Sequence, residues 1–473
     1  MRSTGKVFLL SLGVVAVLLL MHQLPTFSAG DFESRPVCLL SDLLPEAGEE
    51  DGLSADTVAP MVPQRKAPVP LYKPEGVVLI EDFSEGKTGG MAGFYDKLLH
   101  IRERNERVHI AYFGDSFIES DIVTCDLREA MQAEYGGNGP GWVDCGGGVG
   151  TQRPTVSSRF TLLTENVCTK KPFNPKLQAL NQRYYYADDG ATLRLASTKY
   201  REHAGRWSRA TLFFMTDTAF SVAVSQNGEA YERTDFAPSG EVQVLETTGV
   251  MHNIAYRFPK ASRQTRLFGV TLDGDSGVAV DNYSMRGSPG FKLTSVPMST
   301  LKSLARHRSY DMIILQFGLN VVDNNSTDAQ CRHYVNRMKE VVSHMKEAFP
   351  DAGIVVFSCP DRAQRGPRGI HTVSGIKRLL GFQRNMAAEC GVAFFDLHQA
   401  MGGDDAIVDF VRKGLAAKDY THMNYKGGKV IAEHIFQSVK AGVENYRRQT
   451  ENSLPLPEDS LHQPENETEQ PYD

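Results

Sequence analysis

The sequence predicts an α/β fold built on a parallel sheet and interrupted by a β-rich insertion. Three observations carry that expectation. Strands rich in β-branched and aromatic residues alternate with amphipathic helical stretches in the front and rear thirds of the chain. Helical periodicity vanishes between about residues 150 and 279. Residues able to do chemistry recur just after strand ends, where open α/β sheets form their ligand crevices.

The first strand is the most informative. Val108-His-Ile-Ala-Tyr-Phe-Gly-Asp-Ser116 is an apolar run ending in Gly-Asp-Ser, and an amphipathic pattern follows (Ile122, Leu127, Ala130, Met131). Strand, tight turn and helix put Ser116 beside a helix start, available as a nucleophile. A turn serine capping the next helix would look the same. Far down the chain, Lys418-Asp419-Tyr-Thr-His422-Met-Asn424 precedes a helical stretch of roughly 427–439. A serine hydroxyl needs an imidazole to take its proton and a carboxylate to fix the imidazole tautomer. Asp419 and His422, three residues apart in one loop, are suited to both tasks. Taken singly, they read as a capping acid and a surface histidine.

Two blocks lie between these. Leu315-Gln-Phe-Gly318-Leu-Asn320 follows an apolar strand, and Asn282-Tyr-Ser-Met-Arg-Gly287-Ser-Pro-Gly290 precedes it. Together, Gly114-Asp115-Ser116, the glycine block, Gly318-x-Asn320 and Asp419-x-x-His422 resemble the four blocks of the SGNH (GDSL-type) hydrolases, which are esterases and acyl hydrolases. The resemblance implies a three-layer fold with Ser116, His422 and Asp419 as catalytic residues. It also implies an oxyanion hole from the Ser116 N–H, the Gly287 N–H (Gly290 is the alternative) and the Asn320 amide. Val321 stands where many members carry Asp. Within that family, Phe113-Gly-Asp-Ser-Phe-Ile-Glu-Ser-Asp121, Leu127-Arg-Glu-Ala-Met-Gln132 and Tyr135-Gly-Gly-Asn-Gly-Pro-Gly-Trp-Val143 are similar to bacterial peptidoglycan O-acetylesterases. These carry an insertion resembling a carbohydrate-binding module. An acetylated glycan is the implied substrate, peptidoglycan first. Acetylated xylan, acetyl transfer between sugars, and a non-catalytic envelope-binding protein are the alternatives.

In the insertion, Ala191-Thr-Leu-Arg-Leu-Ala196, Ala210-Thr-Leu-Phe-Phe-Met215 and Phe220-Ser-Val-Ala-Val224 read as short strands. Turn signals separate them at Asp188-Asp-Gly190 and Asn227-Gly228. That spacing predicts a β-sandwich. Tyr184-Tyr-Tyr186, Trp207 and Tyr231 either stack on sugars or fill the sandwich core. Asp273-Gly-Asp275 reads as a hairpin turn or, more weakly, a calcium loop. Behind Asn320, helices are expected over about 332–349 and 373–389, with strands at 353–358 and 391–396. Asp361-Arg362, on the same sheet edge, either contacts substrate or forms a loop ion pair.

The ends of the chain and its composition bound the function. Arg2 and Lys6 precede an apolar run from Val7 to Met21. As a helix it would rise ~22 Å, short of a ~30 Å hydrocarbon core. Residues 1–29 therefore read as an export signal or an inner-membrane anchor, which implies a periplasmic or cell-envelope location. Residues 30–75 read as a Pro-rich linker and 446–473 as a disordered acidic tail. The hydrolase is expected over 76–149 and 280–445, with the insertion at 150–279. A net charge of −6 provides no global basic field for nucleic acid. The seven cysteines show no zinc spacing, and no metal or other cofactor is expected. Disulfide pairing is not readable from the spacings.

Overall fold

The computed structural model describes residues 28–29, 32–33 and 69–453, apart from 88, 148–151, 261 and 368. The apolar segment 7–21, Cys38, most of the 30–75 linker and the tail beyond 453 lie outside the described residues. Ser28–Ala29 and Phe32–Glu33 pair as a short antiparallel ladder. Among the described residues, no helix is long and apolar enough to cross a membrane.

From residue 69 onward the core is a six-stranded sheet. Its order is Gly277–Ser284, Arg107–Gly114, Met312–Gln316, Gly353–Phe357, Ala393–Phe395 and Glu81–Asp82. The first five are parallel, and only the edge strand Glu81–Asp82 runs the other way. These strands are almost wholly buried, as parallel strands covered on both faces must be. The helices Ala92–Arg104, Thr124–Tyr135 and Tyr425–Ser453 pack together. Asp328–Ala348 and Ser374–Cys390 form a second packed pair, which completes three layers. The closing helix continues past the expected boundary at 445, so the start of the expected tail is the end of this helix.

Chain order against spatial order locates the crevice. Numbered by sequence, the five parallel strands lie 2-1-3-4-5, so the connections leave strand 1 in opposite directions. The gap between the ends of strands 1 and 3 is the topological switch point, where such sheets bind ligands. Ser116 follows the first of these strands and Asn320 the other.

The insertion differs from the sandwich expected. Its nine strands are hydrogen-bonded into one antiparallel sheet rather than two separate ones. Phe268 breaks the register of Thr265–Asp273, which pairs with both Trp207–Thr216 and Arg183–Ser197. The sheet encloses a core of its own, including Trp207, Phe214, Tyr185, Val222, Ile254 and Leu267. Asn227-Gly228 turns a hairpin as expected, both residues having positive φ. Asp188-Asp-Gly190 does not turn the chain. It bulges out of the continuous strand Arg183–Ser197, opposite a register break at Leu162.

Neither expected insertion boundary is sharp. Gly141–Val143 already belongs to the insertion's sheet, and the central sheet resumes at Gly277. Trp142, Tyr184, Phe213 and Phe268 belong to the hydrolase's core cluster. The glycine run before Trp142 makes this fit possible. A Cβ on Gly139, whose φ is +86°, would lie 2.1 Å from the Leu272 carbonyl oxygen.

Buried ion pairs mark this seam. Arg308 is held by Asp273 at 2.6 Å and by Asp281 at 2.8 Å, and Tyr310 donates to Asp281 at 2.7 Å. Asp275 accepts from Arg209 at 3.5 Å. The carboxylates of Asp273-Gly-Asp275 are thus spent on arginines. Among the described residues, no cluster of three metal-ligating side chains occurs.

Candidate active site

The loop after strand Arg107–Gly114 is held from several sides. Ile118 O and Thr124 Oγ1 accept from the Asn282 amide, both at 2.7 Å, which ties the loop to the neighbouring strand. Asp121, at φ +69°, accepts from Arg128 at 3.0 and 3.1 Å and from Thr155 at 2.8 Å. Burial pushes the Asp121 carboxyl up, but Arg128 and Arg153 prevail and hold it well below its ordinary range. Both members of the Asp121–Arg128 pair are fully buried. Removing one partner strands the other's charge, at about 3–5 kcal/mol. Arg128→Met is therefore expected to lower unfolding stability by that order in a urea titration. An unchanged midpoint would show that the pair does not hold the loop.

The second loop arrives ahead of the closing helix. Asn424, not Asp419, caps that helix: its Oδ1 accepts from Lys426 N at 3.0 Å and Gly427 N at 3.1 Å. Asp419 instead folds its own turn, with Oδ1 accepting from the N–H groups of Thr421 and His422, each at 3.0 Å. Two contacts bring this loop to the first. Tyr425 OH donates to Ser120 O at 2.9 Å. Gly428 packs so closely on Ile122 that a Cβ there would lie 1.9 Å from the Ile122 carbonyl oxygen.

Ser116, His422 and Asp419 meet as a result. Ser116 Oγ lies 3.1 Å from His422 Nε2, and His422 Nδ1 lies 2.7 Å from Asp419 Oδ2. Partial burial raises the Asp419 carboxyl, but the His422 ring and the two turn N–H groups outweigh it, leaving it below its usual value. Asp419 is thus ionised wherever an imidazolium beside it would need a counter-charge. The His422 and Asp419 side chains remain 41% and 50% exposed. The three groups lie in a shallow, open site.

Asn320 stands at the same edge. Its Nδ2 donates to Asp115 Oδ2 at 2.8 Å and approaches Ser288 O at 3.4 Å. Gly287, at φ +71°, occupies an exposed turn between Met285 and Ser288. Gly290 is the weaker alternative: its N–H already donates to Ser288 Oγ at 3.1 Å. A Cβ on Gly290 would also meet the Phe317 ring at 2.7 Å.

Asp115 was not singled out from the sequence, yet it joins two blocks. It is fully buried, accepting from Phe117 N at 3.0 Å with one oxygen and from Asn320 with the other. Burial pushes its carboxyl up to about 6. The unfolded carboxyl releases its proton near 3.8, so between these pH values the folded protein holds the extra proton. Stability is expected to fall by ~3 kcal/mol as pH rises across that window, then level off. Comparing the parent with Asp115→Asn isolates this contribution, and parallel stability–pH curves would refute it. The signal available beforehand was Asp115's place between the strand end and the nucleophile candidate.

Other expected contacts resolve toward structure. Asp361 is buried, accepting from Thr372 Oγ1 and Ile407 N, each at 2.8 Å. Arg362 donates to Leu319 O at 2.9 Å and Val322 O at 2.7 Å, bracing the Asn320 loop from beneath. The expected ion pair between the two does not form: each bonds to other partners. Tyr184, Tyr185 and Trp207 are buried, so they fill cores and form no sugar platform. Tyr231 remains exposed, with Arg257 over its ring at 3.9 Å. All six cysteines among the described residues are free thiols.

The profile of the GDSL-like lipase/acylhydrolase family matches residues 254–430. The chain carries a GDSL-like acylhydrolase domain. It is accordingly a carboxylic ester hydrolase. The matched stretch holds Gly287, Asn320, Asp419 and His422. Ser116 lies before it, separated by the inserted strands and reunited by the fold. No curated protein matches the chain in sequence.

Among solved structures, the hydrolase is similar to a peptidoglycan O-acetylesterase. The two share 20% identity over 77% of this chain and 99% of the other, with a TM-score of 0.63. Shorter likenesses reach a putative GDSL-like lipase from Parabacteroides merdae (14% identity, 35% and 74% coverage, TM-score 0.26). Another is a carbohydrate acetylesterase from Sinorhizobium meliloti (16% identity, 35% and 79% coverage, TM-score 0.26).

Proposed function

We propose that this hydrolase removes O-acetyl groups from a cell-envelope glycan, most directly the muramoyl 6-O-acetyl group of peptidoglycan. The observation that carries the reading is the hydrogen-bonded chain from Ser116 Oγ through His422 to Asp419. His422, oriented by Asp419, takes the hydroxyl proton as Ser116 attacks the ester carbonyl. The Ser116 and Gly287 N–H groups and the Asn320 amide receive the oxyanion. His422 then returns the proton to the departing sugar hydroxyl, and water repeats the cycle on the acetyl-enzyme. The shallow site suits an ester borne on a polymer, because a bulky glycan can lie across it while only the acetyl group enters. The likeness to a peptidoglycan O-acetylesterase over 77% of this chain and the charged N-terminus ahead of an apolar run support the envelope assignment.

Acetate released from O-acetylated peptidoglycan, measured beside acetylated xylan, tests the substrate. Release from peptidoglycan is expected to be the faster, and preference for xylan with sacculi untouched would overturn the envelope reading. Asn320→Ala is expected to lower kcat about 10²–10³-fold with little change in KM, the usual loss for one oxyanion donor. A loss confined to KM would make Asn320 a substrate-binding group instead.

A further inference from the structure

The outer face of the inserted sheet carries a row of arginines that no carboxylate among the described residues pairs with. Arg159 on Val156–Val167 and Arg194 on Arg183–Ser197 are directly opposite partners, so their side chains leave the same face. Arg257 on Asn253–Phe258 pairs with Thr192, two residues from Arg194, and therefore lies on the diagonal of the same face. Cross-strand neighbours of this kind stand about 5–8 Å apart. All three are exposed. Among the described residues, none has a carboxylate within ion-pair distance, although most other arginines do. Between them, Thr161 and Thr192 hydrogen-bond at 2.8 Å. Arg257 is stacked on the exposed ring of Tyr231, which holds its guanidinium in place.

Like charges directly opposite on a sheet repel, and this pair stands on a chain of net charge −6. An anionic ligand relieves that repulsion, and a guanidinium suits a carboxylate because two N–H groups can donate in parallel. The strand bearing Arg159 begins beside the Ser116 loop. Thr155, just before the strand bearing Arg159, donates to Asp121 in the Ser116 loop at 2.8 Å.

We infer that this face binds a carboxylate-bearing glycan through Arg159, Arg194 and Arg257, holding the polymer beside the open site. The inference takes the polymer's identity from the proposed function, but its binding step needs no ester chemistry. It makes ionic recognition, rather than stacking on the buried Tyr184, Tyr185 and Trp207, the insertion's means of gripping a glycan.

The test is co-sedimentation of the full-length protein with acetyl-free peptidoglycan sacculi, native or with carboxyl groups amidated. Native sacculi are expected to retain the parent and to lose it as salt rises, since exposed charges are screened. Amidated sacculi, or the triple variant Arg159→Ser/Arg194→Ser/Arg257→Ser, should reduce retention at least tenfold. The triple variant should hydrolyse a small chromogenic acetyl ester at the parental rate, which also shows that it is folded. Equal retention of parent and triple variant, or retention by amidated sacculi, overturns the inference, as does failure of the parent to bind native sacculi. Binding to polyphosphate without binding to sacculi would also overturn it, in favour of a phosphate polymer. Acetyl-free sacculi offer no substrate, so this outcome is independent of whether Ser116 proves to be the nucleophile.

Discussion

Ser116→Ala is expected to lower acetyl-ester hydrolysis by about 10⁴–10⁶-fold, because without Oγ no acetyl-enzyme can form. The remaining rate would come from the oxyanion donors and substrate positioning alone. Folding should be unaffected. Ser116 is half-buried and its hydroxyl contact is to His422, while Asn282, Arg128 and Tyr425 hold the surrounding loop. Single-turnover hydrolysis of a chromogenic acetyl ester, with a thermal melt as control, measures both effects. Near-parental turnover by a folded Ser116→Ala protein would remove the proposed mechanism.

Asp419→Asn is expected to reduce kcat by about 10²–10⁴-fold at unchanged KM. A carboxamide can still accept from the Thr421 and His422 N–H groups, so the turn survives. It cannot stabilise an imidazolium as a carboxylate does, and it can favour the wrong tautomer of His422. In a buried triad this substitution costs about 10⁴. Here Asp419 is half exposed, so water can replace part of its effect, and the loss should fall toward the lower end. Asp419→Ala, which also loses the turn, should be worse than Asp419→Asn. Equal rates for Asp419→Asn and the parent would reduce Asp419 to a turn-forming residue.

Much of the candidate site was legible because Ser116 and Asn320 follow strand ends and Asp419 and His422 lead into a helix. An apolar run that stops at Gly-Asp-Ser puts Ser116 just past a strand end, and a loop entering an amphipathic helix brings Asp419 and His422 together locally. Asp115 was overlooked because its partner, Asn320, is 205 residues away. The aromatic residues of the insertion were ambiguous for a related reason. Period-two alternation states that one face is apolar but not what covers it, and the hydrolase core covers Tyr184 as the insertion's own core covers Tyr185 and Trp207. Likewise, Asp188-Asp-Gly190 has the composition of a turn. It became a bulge because the flanking segments stay paired with the same neighbouring strand.

By itself, the sequence determined the alternation of strands and helices, the interruption between them, and which side chains could serve as nucleophile, base and oxyanion donor. These follow from local periodicity and from the few residue types that each chemical task admits. Only the tertiary structure decided that the inserted strands form one curled sheet sharing the hydrolase's core. It also decided that Asp361 and Arg362 each bond to other partners within the protein, and that three distant arginines stand together with no carboxylate partner among the described residues. Such outcomes depend on register and on which polar groups find partners, and partners hundreds of residues apart meet only once the chain has folded.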